Sequence, residues 1–179
     1  MSGRLWTGRV ILAAAYMLTW PVAFAQATED SSRNLISEEV RHQLITLPYY
    51  TVFDNLDFRV AGDAVTLLGQ VTRPVLKSAA EQVVEQIKEV GRVYNQIEVL
   101  PPSTEDDRMR LAVYGATYAQ PNLSQYATRA VPPVHIIVER GNVTLEGTVD
   151  LSMDKAEFFT QTSGVPGVVS VTDRLRVTQ

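Results

Sequence analysis

The side chains that most often bind metal ions or carry catalysis are few and scattered in this sequence. It contains no cysteine, and its two histidines, His42 and His135, lie in different halves of the chain without another histidine beside them. Zinc sites need clustered nitrogen, sulfur or carboxylate ligands. The sequence therefore predicts no metal site and no bound cofactor.

Patterns for nucleophilic or acid–base catalysis are also missing. The sequence has no G-x-S-x-G motif, which marks one large class of serine hydrolases. The acidic pairs Glu38-Glu39 and Asp106-Asp107 lie at the starts of predicted helices, where a carboxylate favours the positive end of the helix dipole. The glycines at positions 62, 69, 141 and 147 are features of hairpins and strands, and none of them opens a helix in a phosphate-binding pattern. We therefore predict no catalytic residues and a protein that is not an enzyme.

The most informative feature of the chain is an internal repeat. The segment Val65-Thr-Leu-Leu-Gly69-Gln-Val71 recurs at a fixed offset as Val143-Thr-Leu-Glu-Gly147-Thr-Val149. The same offset places Val90, Val93, Ile97 and Val99 on Val168, Val171, Leu175 and Val177. A constant offset over this length indicates two copies of one structural unit. Because Gly69 and Gly147 interrupt strands at the same place, each predicts a bulge or a close backbone approach.

The first copy has the hydrophobic periods of helix, strand, strand, helix and strand. Ile36, Val40, Leu44 and Leu47 form one helical stripe, which Asn34 or Ser37 can cap and Pro48 ends. The following elements are a hairpin around Gly62-Asp63, a helix opened by Pro74, and a strand from Val93 to Val99.

The second copy repeats this order with one insertion. Its first helix is expected to turn Leu111, Tyr114 and Tyr118 inward, and residues 122–127 are predicted to add a helical turn. The crossover helix, 152–163, is expected to turn Met153, Ala156 and either Phe158 or Phe159 inward. Val134 to Val138, Val143 to Val149 and Val169 to Val177 are the predicted strands.

The expected fold class is α+β, with two tandem αββαβ modules. Each module is predicted to be a three-stranded mixed sheet with two helices on one face, because a crossover helix places the last strand parallel to the second. We expect a signal peptide at 1–25, a flexible leader at 26–33, one module at 34–101, a linker at 102–105 and a second module at 106–179.

The beginning of the chain has the pattern of a secretory signal. Arg4 and Arg9 precede an apolar run from residue 10 to 20, and Ala23-Phe-Ala25 is a small-residue cleavage site, so cleavage is expected between Ala25 and Gln26. The run is too short to favour the alternative, a membrane anchor. Without a cysteine for lipid attachment, the mature chain is expected to be soluble in the bacterial periplasm. It would carry 14 basic and 20 acidic residues, a formal charge of −6, which argues against nucleic-acid binding.

The order and spacing of these motifs resemble the BON domain family (bacterial OsmY and nodulation). The resemblance is carried in the first copy by Val65 to Val71 and by the strand Val93-Tyr-Asn95-Gln-Ile97-Glu-Val99, and in the second by Val143 to Val149 and Val171 to Val177. It implies an αββαβ module, a location in the cell envelope, and binding of phospholipid or membrane-associated partners. The order of signal peptide and two modules is similar to that of osmotically induced periplasmic proteins.

Two regions differ between the copies and are the predicted contact surface. The inserted segment carries Leu123 and Tyr126, and the last strand carries Arg174 and Arg176. The alternatives are that the apolar pair packs in the interior and that the arginines are an ordinary solvated face. One functional hypothesis is binding of membrane phospholipid during envelope or osmotic stress. The other is binding of other exported proteins in a chaperone-like role.

Overall fold

The chain folds into two modules of the predicted order. The computed structural model describes residues 21–178, with side chains from residue 33 onward. The first module comprises α1 (Pro21–Ile45), β1 (Asn55–Ala61), β2 (Ala64–Val71), α2 (Pro74–Glu85), β3 (Arg92–Asn95) and β4 (Glu98–Val99). The second comprises α3 (Thr104–Tyr118), α4 (Ser124–Ala127), β5 (Val134–Glu139), β6 (Asn142–Val149), α5 (Ser152–Ser163) and β7 (Ser170–Val177). The α+β fold class with two αββαβ modules is confirmed.

Each sheet has the hairpin's second strand at its centre. β1 pairs antiparallel with β2, and β3 and β4 both pair parallel with β2. In the second module β5 is antiparallel and β7 parallel to the central β6. The strand predicted from Val93 to Val99 is split into β3 and β4, and at the break the Asn95 side chain accepts the Ile97 amide at 3.2 Å. The register places Val65 opposite Val93 and Val143 opposite Val171, which are equivalent residues of the repeat.

Each module has its own apolar core between the sheet and the helices. The predicted stripe of Ile36, Val40, Leu44 and Leu47 on and after α1 is buried against β2 and α2. The predicted helical turn at 122–127 is present as α4.

The beginning of α1 corrects the sequence analysis. The helix begins at Pro21, not near Asn34 or Ser37, so residues 26–33, which were expected to be a flexible leader, are helical. No glycine or second proline interrupts the segment, so it lacks the two strongest helix breakers. Ser37 does not cap the helix but donates its hydroxyl to the Arg33 carbonyl inside it, at 2.8 Å. The signal peptide falls mainly on residues 1–20, which lie outside the described residues, and the cleavage between Ala25 and Gln26 stays a prediction.

Two helices of the second module present different faces from those predicted. In α3, Tyr118 is buried as expected, but Leu111 is 65% exposed and Tyr114 is 37% exposed. Asp106 and Arg110 are buried instead. The cause is polar: Asp106 accepts the amides of Arg140 and Gly141 at 2.9 and 3.0 Å, and Arg110 donates to the Val138 carbonyl at 2.6 Å.

In α5, the side chains on the inner face are Asp154, Phe158 and Thr162. The expectation for Met153, which is 69% exposed, and for Ala156 was therefore wrong. Of the two phenylalanines left open, Phe158 is buried. The rotation is fixed because the Asp154 carboxylate is hydrogen-bonded by Tyr126 and Asn122 inside the module.

Candidate functional site

A loop of the first module docks on the second module and builds the seam between them. This seam loop, residues 46–54, follows α1. Its Val52 carbonyl accepts the Ile136 amide of β5 at 2.8 Å. Val52 and Phe53 pack against the core of the second module, and the ring of Phe53 lies 6.1 Å from that of Tyr114. The two modules therefore share backbone and apolar contacts.

A buried carboxylate holds the seam loop in shape. Asp54 has no exposed surface. One of its oxygens accepts the amide and hydroxyl of Thr51 at 3.0 and 2.7 Å, and the other accepts the amide and hydroxyl of Thr72 at 2.7 and 2.8 Å. Four donors satisfy a buried carboxylate well, so desolvation is compensated. The loop is thus fixed to the end of β2.

An aromatic pair closes the seam next to this carboxylate. The rings of Tyr50 and His135 are 5.5 Å apart, and the Tyr50 hydroxyl is 3.4 Å from Nε2 of His135. His135 lies on the outward face of β5, yet it is only 8% exposed because the seam loop covers it. Its Nδ1 is buried without a hydrogen-bond partner among the described residues.

Burial shifts the protonation of both rings toward the neutral form. It lowers the pKa of His135 below its ordinary value, and the backbone at Asp54 and Thr51 and the Asp54 carboxylate act in the opposite direction. Burial also raises the pKa of Tyr50 to about 12. At neutral pH, the seam is therefore closed by an uncharged imidazole and an uncharged phenol.

A groove of about 500 Å³ runs along the seam. Its first wall consists of α1 and β1, and its second wall consists of the outer sheet face of the second module and the segment before β5. The apolar lining includes Ile45, Leu56, Phe58, Val60, Val131 and Pro133, and the charged lining includes Arg33, Arg41, Arg176, Asp57 and Glu146. The volume falls in the range of about 300–1,000 Å³ that is usual for small-molecule sites.

Two of the exposed guanidinium groups in the groove, those of Arg41 and Arg176, can take an anion. The Arg41 guanidinium lies 5.8 Å from the centre of the Phe58 ring, and Arg176 projects from β7. Glu146, one of the two acids in the groove, is already bound to Arg174 at 2.8 Å. Within residues 33–178, neither Arg41 nor Arg176 forms an ion pair. The groove therefore combines an apolar wall with positive charge, which suits the phosphate and glycerol of a lipid headgroup.

The predicted contact surface is not one surface. Leu123 and Tyr126 are 0% exposed and belong to the core of the second module, so their assignment to a contact surface was wrong. The physical reason is polar satisfaction: the Tyr126 hydroxyl donates to the Asp154 carboxylate at 2.6 Å and accepts the Asp150 amide at 2.9 Å. Arg174 and Arg176 are both exposed on β7, but only Arg176 lines the groove.

The two repeat glycines lie where β1 and β5 approach their partner strands. Gly69 and Gly147 have φ values of 110° and 123°. A Cβ atom at either position would collide with a backbone carbonyl oxygen, that of Asn55 or that of Pro133. A side chain is thus excluded twice, by φ and by space.

Sequence reasoning missed the roles of Arg41, Phe58 and His135 in the groove. One signal was available at Ile137, which shares the outward face of β5 with His135. An isoleucine on a face expected to be solvated indicates that something covers it. The sequence did not reveal which segment provides the cover, because the seam loop comes from the other module.

Neither a metal site nor a membrane-spanning helix is formed by the described residues. In the part of the chain that the structure describes, no group of three histidine, aspartate or glutamate side chains is placed to hold a metal ion. None of the described helices combines the length and hydropathy needed to cross a bilayer.

Comparison with known families gives the same division into two units. The model of the BON domain matches residues 33–101 and 122–179, which is more than half of the chain. The chain belongs to the BON domain family. BON domains are in general not catalytic. The comparison with curated proteins found no match.

Two solved structures with some similarity come from a secretion system. Two structures of CdsD, a structural protein of the type III secretion system of Chlamydia trachomatis, are each 12% identical to this BON protein. The alignment with the C-terminal domain of CdsD covers 79% of this chain and 96% of the other, with a TM-score of 0.34. The second covers 82% and 94%, with a TM-score of 0.32. At this identity and TM-score, the similarity says nothing about the function of this chain.

Proposed function

We propose that this BON protein is a non-enzymatic exported protein of the bacterial envelope that binds anionic phospholipid at membrane surfaces through the groove at its seam. The observation that carries the proposal is the pair of exposed guanidinium groups, Arg41 and Arg176, beside the apolar wall of Phe58 and Pro133. In this proposal the signal peptide directs export of the chain and is cleaved after Ala25. The mature protein then acts in the periplasm during envelope or osmotic stress.

Family membership supports the class of ligand. BON domains bind phospholipid membranes and typically occur in the cell envelope. The groove adds a specific place. A guanidinium binds a phosphate through two parallel hydrogen bonds, while the apolar wall can contact the glycerol and the first methylenes of the chains.

The overall charge sets the expected strength of binding. A mature chain of net charge −6 is repelled by an anionic surface at long range, so attraction has to come from the groove over short distances. A basic side chain near an anionic surface contributes about 1 kcal/mol. Two arginines therefore contribute about 2 kcal/mol, which corresponds to roughly thirtyfold in affinity. Binding should weaken as salt screens the charges.

Vesicle flotation tests the proposal. The mature chain is mixed with phosphatidylcholine vesicles with or without phosphatidylglycerol, at low and high salt. We expect flotation only with phosphatidylglycerol, and a loss of roughly thirtyfold in affinity for the double variant R41Q/R176Q. The control is R108Q, which removes an exposed arginine of α3 outside the groove. The proposal fails if the wild type does not float, or if both variants bind equally well.

A second candidate function is binding of extended segments of other exported proteins. β1 pairs with β2 on one side only, and its other side is an edge within the described sheet. Residues of β1, including Leu56 and Phe58, line the groove, and an open edge can accept an added strand. Hydrogen exchange of the β1 amides during incubation with an unfolded exported protein, without lipid, would slow in this case and would stay unchanged if the groove takes lipid alone.

A further inference from the structure

Burial disfavours the charged form of the covered histidine of the seam, and it outweighs the Asp54 carboxylate and the backbone at Asp54 and Thr51, which favour that form. His135 is buried under the seam loop, with Nε2 facing the Tyr50 hydroxyl at 3.4 Å and Nδ1 unpartnered among the described residues. In the neutral imidazole, Nε2 has the Tyr50 hydroxyl as a weak hydrogen-bond partner, and Nδ1 has none among the described residues. An imidazolium would bring a positive charge and two N–H donors, both of which need acceptors or water.

The charged and titratable groups around His135 are already engaged or lie across the groove. The seam loop contributes Tyr50 and Asp54, and both Asp54 oxygens are occupied by the four donors described above. On β6, Glu146 is the register partner of His135, but it is paired with Arg174 of β7. The remaining groups line the same groove: Asp57 on β1, Arg33 and Arg41 on α1, and Arg176 on β7. The arginines among these groups outnumber the carboxylates, so the net charge around His135 does not favour a buried cation.

We propose that protonation of His135 releases the seam loop from β5, so that the width of the groove and its binding of ligand depend on pH. The contacts that would be lost are the Tyr50–His135 ring contact and the hydrogen bond from Ile136 to Val52. The release concerns the seam alone, and only its consequence for lipid rests on the proposed function.

The direction of the pH dependence follows from burial. In the open seam His135 is solvated and takes its ordinary pKa of about 6.5, whereas in the closed seam burial lowers that pKa. The open form therefore binds the proton more tightly. Closure is fully favoured above about pH 6.5 and loses stability as the pH falls from there toward the lowered pKa.

A histidine titration by NMR gives the first test, because the mature chain has only two histidines. We expect the imidazole signal of His135 to titrate below the ordinary histidine pKa of about 6.5, and the amide signal of Ile136 to shift over the same pH range. Titration of His135 at or above about pH 6.5 would overturn the proposal. This test uses the unchanged chain and so does not depend on a variant that folds.

The distance between the modules gives the second test. Because the chain has no cysteine, spin labels can be attached to E85C and S163C, which are exposed positions in the two modules. We expect a narrow distance distribution at about pH 8 that becomes broader at about pH 5, in the range where histidine titrates. H42Q should keep this response and H135Q should lose it.

The outcomes separate this proposal from lipid binding. A pH response that persists in H135Q would refute the histidine mechanism. A seam that opens on acidification while the mature chain binds no vesicle would sink the proposed function and leave the pH-dependent seam intact.

Discussion

The hydroxyl of Tyr126 provides a sharp test of how the second module is held together. This hydroxyl is inside the module, donates to Asp154 at 2.6 Å and accepts the Asp150 amide at 2.9 Å. The change Y126F removes one oxygen and keeps the ring, which packs on Phe158 with centroids 5.7 Å apart. No large cavity forms, so the measured effect reports the hydrogen bonds.

The magnitude follows from what is left without a partner. Asp154 is 2% exposed and, among the described residues, would keep only the long hydrogen bond from the Asn122 side chain, at 3.2 Å. A hydrogen bond to a charged group contributes about 1.5–3 kcal/mol, and a buried group left unsatisfied costs a similar amount. We expect Y126F to lower the free energy of unfolding of the second module by about 2–3 kcal/mol.

The matched control is Tyr118 in the same core. Its hydroxyl is 3.4 Å from the Val134 carbonyl oxygen, longer than a normal O–H···O hydrogen bond, so Y118F should cost less than about 0.5 kcal/mol. The measurement is urea unfolding followed by circular dichroism, with a separate transition fitted for each module. The reasoning is refuted if Y126F is as stable as the wild type, or if Y118F is the more damaging change.

Two further predictions concern Gly147 of the repeat and Tyr50 of the seam loop. G147A should destabilise the second module by at least about 1–3 kcal/mol, because its Cβ would collide with the Pro133 carbonyl. The control is G115A in α3, where a Cβ meets nothing within 4 Å, and it should stabilise the module by up to about 1 kcal/mol. Thermal unfolding of both variants would contradict this if G115A were the less stable one. Tyr50 should stay protonated beyond the ordinary phenol range, up to a pKa of about 12. Since its pKa is raised in the folded state, stability should fall as the pH rises above about 10, and an ultraviolet titration in which Tyr50→Phe removes no late-titrating phenol would contradict this.

The sequence was sufficient for the fold because the fold depends on apolar spacing and on the repeat. The stripe from Ile36 to Leu47 has the period of one helix face and is buried as expected. The equivalent positions of Gly69 and Gly147 require the same backbone approach in both modules. These features are local or are duplicated along the chain, so they can be read without coordinates.

The parts that could not be predicted depend on polar groups that are satisfied at a distance. The rotation of α3 is set by Asp106, whose carboxylate oxygens accept backbone amides of the turn between β5 and β6. The spacing of apolar residues predicted that Leu111 faces inward, because a spacing argument takes no account of such hydrogen bonds. Tyr126 looked like a loop residue available for contact, but its hydroxyl binds Asp154 on a later helix. The groove could not be predicted from the sequence either. Arg41 and Arg176 belong to different modules and line the same groove only because the seam loop docks on the second module.

Mapping a soluble anionic phospholipid onto the chain by NMR tests the central claim most directly. Dihexanoyl phosphatidylglycerol is added below its micelle concentration, and the amide and guanidinium signals are followed. The account predicts the largest shifts at Arg41, Phe58 and Arg176, with none for dihexanoyl phosphatidylcholine at the same concentration. Shifts centred on the exposed apolar residues of the helical layer, Leu111 and Met153, or no shifts at all, would contradict it.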